Sequence, residues 1–431
     1  MISETMHEFS RKTLRFFAFQ SGSLTLLITT FFIWPFLGKS LRLDLFGQLA
    51  LAISISSILS PVLSLGLGIS LSYYGREEKQ TARKGLAQLA SVWVSGLALL
   101  TLGIFSASFF KFGSSFVFWV TILTISGSVI LITSGALRVL DNPRPFFVVT
   151  STSSLLGLTV LLTEPDLVGK SDSIFVGFAA SSIFALIATY FFKALPIPKF
   201  RDTHLGWFTT LSGSLLLGLH QLMAVSLLLG VRVIVGVVSG STALASFIFC
   251  ALLVGGGLTV GSTLDGYWSV ESQRAKTLVE LKIYLKNVQS KIQWILFGLA
   301  VIVSVFWATL RDQWLPPGVN EVQIGLAIGL GLPAWGLQAF SDSRTSCLLW
   351  QKRRFIVSIS TTISVVITFS LCLLLLPFLG IAAATLSLTL GMLARYICLL
   401  ILDSKETLHH LKSSYVAYFL TIGISIIFLI A

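Results

Sequence analysis

An all-α protein that crosses a bilayer many times is the fold class this sequence predicts. Three observations predict it. Hydrophobic residues make up 55% of the chain and charged residues only 11%, where a soluble domain carries about 25% charged residues. Apolar runs of about 18 to 25 residues recur from end to end, each enough to cross roughly 30 Å of hydrocarbon at about 1.5 Å per residue. Basic residues gather in the short loops on alternate sides. In lipid the backbone must satisfy its own hydrogen bonds, so runs of this length read as helices.

The first run, 16–37, follows Arg11, Lys12 and Arg15 and is too long for the apolar region of a signal peptide. It is read as a retained first span. The runs at 45–73, 86–109, 115–138, 146–163 and 173–192 follow, then 207–230, 237–262, 293–310, 322–344, 354–378 and 380–402. A last run, 414–431, is an additional candidate. With a cytoplasmic N-terminus, loops on that side hold Arg76, Lys79, Arg83, Lys84, Arg138, Arg144, Lys193, Lys199 and Arg201, and later Arg274, Lys276, Lys282, Lys286, Lys291, Arg344, Lys352, Arg353, Arg354, Lys405 and Lys412. The opposite loops hold only Lys39, Arg42, Lys111, Lys170, Arg232 and Arg311. This asymmetry is the positive-inside pattern. It orients a multi-pass membrane protein with its N-terminus inside.

The longest polar stretch is 263–292. Within it Leu278, Leu281, Leu285, Val288 and Ile292 recur at helical spacing, with Lys282, Lys286 and Lys291 elsewhere around the wheel. That pattern predicts an amphipathic helix lying on the inner membrane surface.

Other chemistry is excluded or uncalled for. The formal net charge of +12 is topological, and no nucleic-acid partner is implied. Cys250, Cys347, Cys372 and Cys398 fall in or near apolar runs without C-x-x-C spacing and read as packing residues. No G-x-x-x-x-G-K-[ST] occurs, so nothing points to ATP hydrolysis. No cofactor, metal or catalytic residue is called for, and the chain is read as a non-enzyme.

The two halves resemble each other. Gly47-Gln-Leu-Ala-Leu-Ala52 matches Gly240-Ser-Thr-Ala-Leu-Ala245 at an offset of 193 residues, and Lys39 matches Arg232 at the same offset. Phe146–Thr152 resembles Phe355–Thr361, and Gly177–Ala180 resembles Gly380–Ala383. Six spans separate the copies, so the repeat is parallel. The expected organisation is a six-helix lobe at 1–192, a cytoplasmic linker at 193–206, a second six-helix lobe at 207–403 and an extra helix within 404–431. Pro61 interrupts the second span, and at the same offset it stands beside Gly255-Gly256-Gly257 in the eighth. Proline removes a backbone donor and glycine loosens a helix, so these are read as gating kinks, with ordinary packing as the alternative.

Lys39-Ser-Leu-Arg-Leu-Asp-Leu-Phe-Gly47, followed by small apolar residues, resembles the first-loop signature of Wzx-like polysaccharide and O-antigen flippases. Leu376-Pro-Phe-Leu-Gly-Ile-Ala-Ala-Ala384 resembles their eleventh-to-twelfth span hairpin. These proteins belong to the multidrug/oligosaccharidyl-lipid/polysaccharide exporter superfamily. The resemblance implies two six-helix lobes and a substrate of oligosaccharide linked through pyrophosphate to polyprenol, with membrane lipids and other polysaccharide-assembly proteins as partners. Many relatives place an acidic residue in the seventh span; none lies between Trp207 and Gly230, which puts carboxylate-based proton or sodium coupling there in doubt.

Moving an anionic pyrophosphate through hydrocarbon requires cations and hydrogen-bond donors facing a wet path, and ionisable groups inside spans are candidates by default. Arg395 lies deep in the twelfth span and is expected to meet phosphate or sugar, with pairing to a neighbouring helix as the alternative. His220 and Gln221 sit centrally in the seventh span, where His220 is suited to proton coupling or to packing. Lys39 and Arg232 are expected as a matched pair at the outer mouth, or as markers of helix ends. Asp342 and Arg344 are two residues apart and point to different helix faces, leaving the partner of Asp342 open. Arg138 and Asp141 have spacing suited to a pair.

Three rivals stand against the flippase reading. An ion-coupled multidrug exporter of the same superfamily relies on membrane carboxylates, which are scarce here. A membrane glycosyltransferase or polysaccharide polymerase needs a larger outer loop than 164–172. A major-facilitator sugar carrier needs Asp-Arg-x-Gly-Arg after the second span, where Tyr74-Gly-Arg-Glu-Glu-Lys stands.

Overall fold

The computed structural model describes residues 35, 38–39, 43–74, 80–109, 116–138, 145–146, 148–149, 152, 172–197, 207–272, 275, 277–351, 353–402 and 412–430. Most of the predicted spans 16–37 and 146–163, the linker beyond 197 and the Asp141 partner of Arg138 lie outside these. Among the described residues there is helix and turn but no strand.

In chain order the helices are α1 (Leu43–Leu63), α2 (Leu67–Tyr74), α3 (Gln80–Phe109), α4 (Phe116–Arg138), α5 (Asp172–Phe191), α6 (Trp207–Ser272), α7 (Leu278–Trp314), α8 (Glu321–Gly331), α9 (Pro333–Trp350), α10 (Arg354–Leu379), α11 (Ala382–Leu402) and α12 (Lys412–Ile430). Eight helical stretches among the described residues are long and apolar enough to cross a membrane, and Ala179–Phe191 and Ser414–Ile426 are shorter apolar helices. Two of the eight, Leu217–Gly261 and Glu321–Trp350, contain an internal break. The 66 residues of α6 would measure about 100 Å if straight, far beyond one crossing. Gly240 divides them, at φ 87 and ψ 172, a conformation that essentially only glycine adopts.

The chain forms two compact units: Met1–Thr29 with Ala52–Leu222, and Thr30–Leu51 with Met223–Ala431. In the first unit small residues bring backbones together. A Cβ at Gly68 would overlap the Leu131 carbonyl, and one at Gly135 would overlap that of Gly68. Hydroxyls then cross the α1–α4 contact: Ser60 Oγ donates to the Thr124 carbonyl at 3.1 Å, and Ser128 Oγ to that of Ser60 at 3.0 Å. Without a hydrophobic drive between helices in lipid, such contacts and close packing hold them, each hydrogen bond contributing about 0.6 kcal/mol. Tyr190 ties α5 to α3 through its hydroxyl, 3.0 Å from Ser91 Oγ and 2.7 Å from Ser95 Oγ.

A break in the chain follows the predicted kink at Pro61 by a few residues. Pro61 stays inside α1, and the break comes at Leu65 and Gly66, both with positive φ (52 and 67). The reason is tertiary: at Gly66 the backbone meets Ser214 and Gly218 of α6 with no room for a Cβ. Trp93 Nε1 donates to the Leu63 carbonyl at 2.8 Å and holds the end of α1.

In the second unit α10 and α11 form a tight hairpin turning at Gly380 (φ 55). Ser364 Oγ donates to the Gly391 carbonyl at 2.7 Å. The first turns of α1 join this unit, and a Cβ on Gly47 would overlap the Ser241 carbonyl. The matched segments beginning at Gly47 and Gly240 thus lie side by side, although Gly47 is helical and Gly240 is not.

The predicted amphipathic surface helix is instead the first part of α7, continuous with the ninth span. Leu281 and Leu285 are buried as their spacing requires, but against Cys347 of α9, with Leu278 and Trp350 beside them. Protein rather than lipid covers the apolar stripe. The last helix, α12, is an integral part of the second unit: Tyr418 lies over Gly336, where a Cβ would overlap its ring, and Phe340 packs against Tyr396, Tyr415 and Tyr418. Cys250, Cys347 and Cys372 are buried, Cys398 is half-buried, and all four are free thiols.

Candidate functional site

Proline at 333 cannot donate to the preceding turn, so the tenth span breaks into α8 and α9. Leu332 N–H donates to the Ile328 carbonyl, and Trp335 N–H to that of Leu332. A second helix spans this break. Thr389 Oγ1 on α11 donates to the Leu330 carbonyl at 2.6 Å, just before it. Two turns further along α11, Arg395 Nη1 donates to Asp342 Oδ1 at 3.0 Å, and Nη2 to Thr345 Oγ1 at 3.1 Å, both after it. The Arg395 and Asp342 side chains are 6% and 15% exposed. Arg395 Nε is buried with no acceptor.

The predicted site residue Arg395 is therefore a buried cation on α11, and its partner in this structure is the carboxylate that sequence reasoning left open. Arg344 points elsewhere, its guanidinium 5.7 Å from the centre of the Tyr396 ring.

Arg232 sits about two turns before the Gly240 break. Because α6 reverses there, its side chain returns along the second half of α6: Nη2 lies 3.7 Å from where a Cβ of Gly255 would stand, and Cys250 is a neighbouring ionisable group. Its Nε is buried without an acceptor, and no carboxylate pairs with it among the described residues. Against expectation, Arg232 does not mirror Lys39. The exposed Lys39 ammonium donates to the Gln313 carbonyl, capping the last turn of α7. The matched positions have diverged because one side chain meets a helix end and the other a glycine-lined helix face.

Helical backbone continues through Gly255-Gly256-Gly257, and the non-helical φ/ψ within α6 falls at Gly240. Gly257 serves close approach. The Trp335 indole lies across Gly257, leaving no room for a Cβ, and donates to the Val254 carbonyl at 2.7 Å. His220 and Gln221 are half-buried on α6 within the first unit, and the Gln221 Oε1 is buried without a hydrogen bond.

Sequence reasoning missed Thr345, Thr389 and Trp335 as partners of this region. A carboxylate and an arginine inside separate spans were a visible signal; which cation Asp342 would meet required the packing of α9 on α11.

No protein-family model matches the chain, and no curated protein matches it. Solved structures do. An inward-facing multidrug resistance MATE transporter of the MOP superfamily aligns over 90% of this chain and 95% of its own, with TM-score 0.65 and 14% identity. The lipid II flippase MurJ, in an inward closed conformation, aligns over 97% and 98%, with TM-score 0.62 and 13% identity. A MOP superfamily transporter from Pyrococcus furiosus, described as having reverse polarity of its binding pocket, aligns over 94% and 96%, with TM-score 0.53 and 15% identity. At these identities the likeness is one of fold: the chain is a multi-pass helical membrane protein with the fold shared by MATE transporters and MurJ.

Proposed function

We propose that this protein is a flippase that carries polyprenyl-pyrophosphate-linked oligosaccharide from the cytoplasmic to the outer leaflet of a bacterial plasma membrane for surface polysaccharide synthesis. It works by alternating access, without enzymatic chemistry. The observation that carries the reading is Arg232: a cation within the apolar helical stretch Leu217–Gly261, with a buried Nε lacking an acceptor and no carboxylate paired to it among the described residues. An uncompensated cation in a membrane span is costly, and an anionic head group is a ligand that repays it. Arginine binds phosphate in a bidentate fork. Arg395 supplies a second cation. His220 and Gln221 supply hydrogen-bonding capacity for sugar, and His220 a route for proton coupling. The breaks at Leu65–Gly66, Gly240 and Leu332–Pro333 are the positions at which helices bend.

The second reading, a small-molecule exporter, is favoured by the MATE likeness in fold. The test is restoration of surface polysaccharide in a flippase-deficient bacterium by wild type, Arg232→Ala and Arg395→Ala at matched expression. Restoration by wild type and its loss in Arg232→Ala supports the flippase. Failure in acceptor strains covering several sugar types, with drug efflux by the same cells, overturns it.

A further inference from the structure

Arg395 and Asp342 form a half-satisfied pair. The guanidinium is almost wholly buried, yet its Nε has no acceptor. The carboxylate engages Arg395 through Oδ1, and its side chain remains 15% exposed. A pair built only to hold two helices together would be expected to satisfy the fork of the arginine, because a buried donor left unmade is expensive. Here the guanidinium keeps an unmade bond while a carboxylate occupies one prong and a threonine hydroxyl the other.

We propose that Asp342 is an internal counter-anion that an incoming phosphate-type anion displaces from Arg395, so that Asp342 sets the anion specificity of the second unit. A diphosphate brings more acceptor oxygens than one carboxylate: one phosphate can take the Nε–Nη2 edge of the guanidinium from Thr345, while an oxygen of the other takes Nη1 from Asp342. The exposed side of Asp342 is the side from which the anion arrives. Displacement of both Asp342 and Thr345 from Arg395 also removes these polar ties between α11 and α9 beyond the Leu332–Pro333 break while leaving Thr389 on Leu330. Anion binding thereby frees α9 relative to α8. The inference rests on the proposed anionic substrate and names the residue that gates access to its cation.

The test uses full-length protein in phosphatidylcholine nanodiscs, with inorganic pyrophosphate as the probe. Neutralising the competitor raises affinity: Asp342→Asn binds pyrophosphate at least tenfold more tightly than wild type, and its melting temperature rises with pyrophosphate. The double variant Asp342→Asn/Arg395→Gln loses both effects. Asp342→Ser, smaller and neutral, gives the same gain and covers the case in which the asparagine variant folds poorly. A purely structural pair, which also loses stability when Asp342 is replaced, predicts no gain in affinity and no rescue by pyrophosphate in either Asp342 variant. That result, or a gain that survives Arg395→Gln, overturns the proposal. Adding phosphatidylglycerol to the discs identifies the source of the anion. Competition with pyrophosphate in Asp342→Asn marks a phospholipid head group, and its absence marks a diphosphate-bearing substrate; both support anion exchange at Arg395. Because the readout is binding, failed complementation with this pattern intact removes the flippase reading and leaves the exchange standing.

Discussion

Trp335 donates its indole N–H to the Val254 carbonyl at 2.7 Å and lays its ring across Gly257. This contact fixes the start of α9 against the second half of α6, immediately after the Pro333 break. It separates two roles within one glycine run. At Gly257 a methyl group meets the indole; at Gly255 the nearest atom is Arg232 Nη2 at 3.7 Å, an ordinary contact distance. Gly257→Ala is expected to lower stability by about 1–3 kcal/mol through overpacking, and Gly255→Ala to leave it within about 0.5 kcal/mol. Thermal melts in detergent check both. Equal losses at the two positions would contradict the packing account.

Gly240 permits a purely conformational prediction. Nothing lies within 4 Å of a Cβ placed there, so alanine meets no clash. Its φ of 87 and ψ of 172 are nevertheless closed to residues with a side chain, and the strain is about 1–3 kcal/mol. Gly240→Ala is expected to lower the melting temperature while Gly85→Ala, which also meets nothing within 4 Å but lies in the regular helix α3, does not. The same melts distinguish backbone strain from loss of space.

The last helix supports a third prediction. Tyr418 covers Gly336 and stacks edge-on with Phe340. Gln293 Nε2 on α7 donates to the Gly336 carbonyl at 3.0 Å. Tyr418→Ala opens a void over this contact and is expected to cost about 3 kcal/mol, measured by denaturant unfolding. An appendage that merely sits in lipid would show no loss.

Much of this was legible in the sequence. The eleventh and twelfth spans, read at 354–378 and 380–402, are α10 (Arg354–Leu379) and α11 (Ala382–Leu402), because uninterrupted apolar length is a local property that lipid enforces directly. The spacing of Leu281 and Leu285 correctly located a buried stripe, but the covering surface is Cys347 and its neighbours, more than sixty residues away. Pro61 was visible as a helix breaker; the break falls at Leu65–Gly66, where Gly218 admits only a glycine backbone. The pairing of Arg395 with Asp342 was hidden for the same reason. Charge inside a span shows in the sequence, whereas its partner is set by which helix faces which.

The buried pair itself yields a fourth prediction. Removing one partner leaves an uncompensated charge, so Asp342→Ala and Arg395→Ala should each cost about 3–5 kcal/mol. Replacing both with apolar residues of similar size, Asp342→Leu with Arg395→Met, is expected to cost less than either single change. Denaturant unfolding of the three variants provides the check, and additive losses would contradict the pairing.

The most direct test of the account is translocation by the purified protein in proteoliposomes carrying a fluorescent polyprenyl-pyrophosphate oligosaccharide, with Arg232→Gln alongside. The account predicts that wild type moves the lipid between leaflets and that Arg232→Gln slows it at least tenfold while remaining folded. Wild-type vesicles that leave the diphosphate lipid in place yet expel a cationic drug would contradict it.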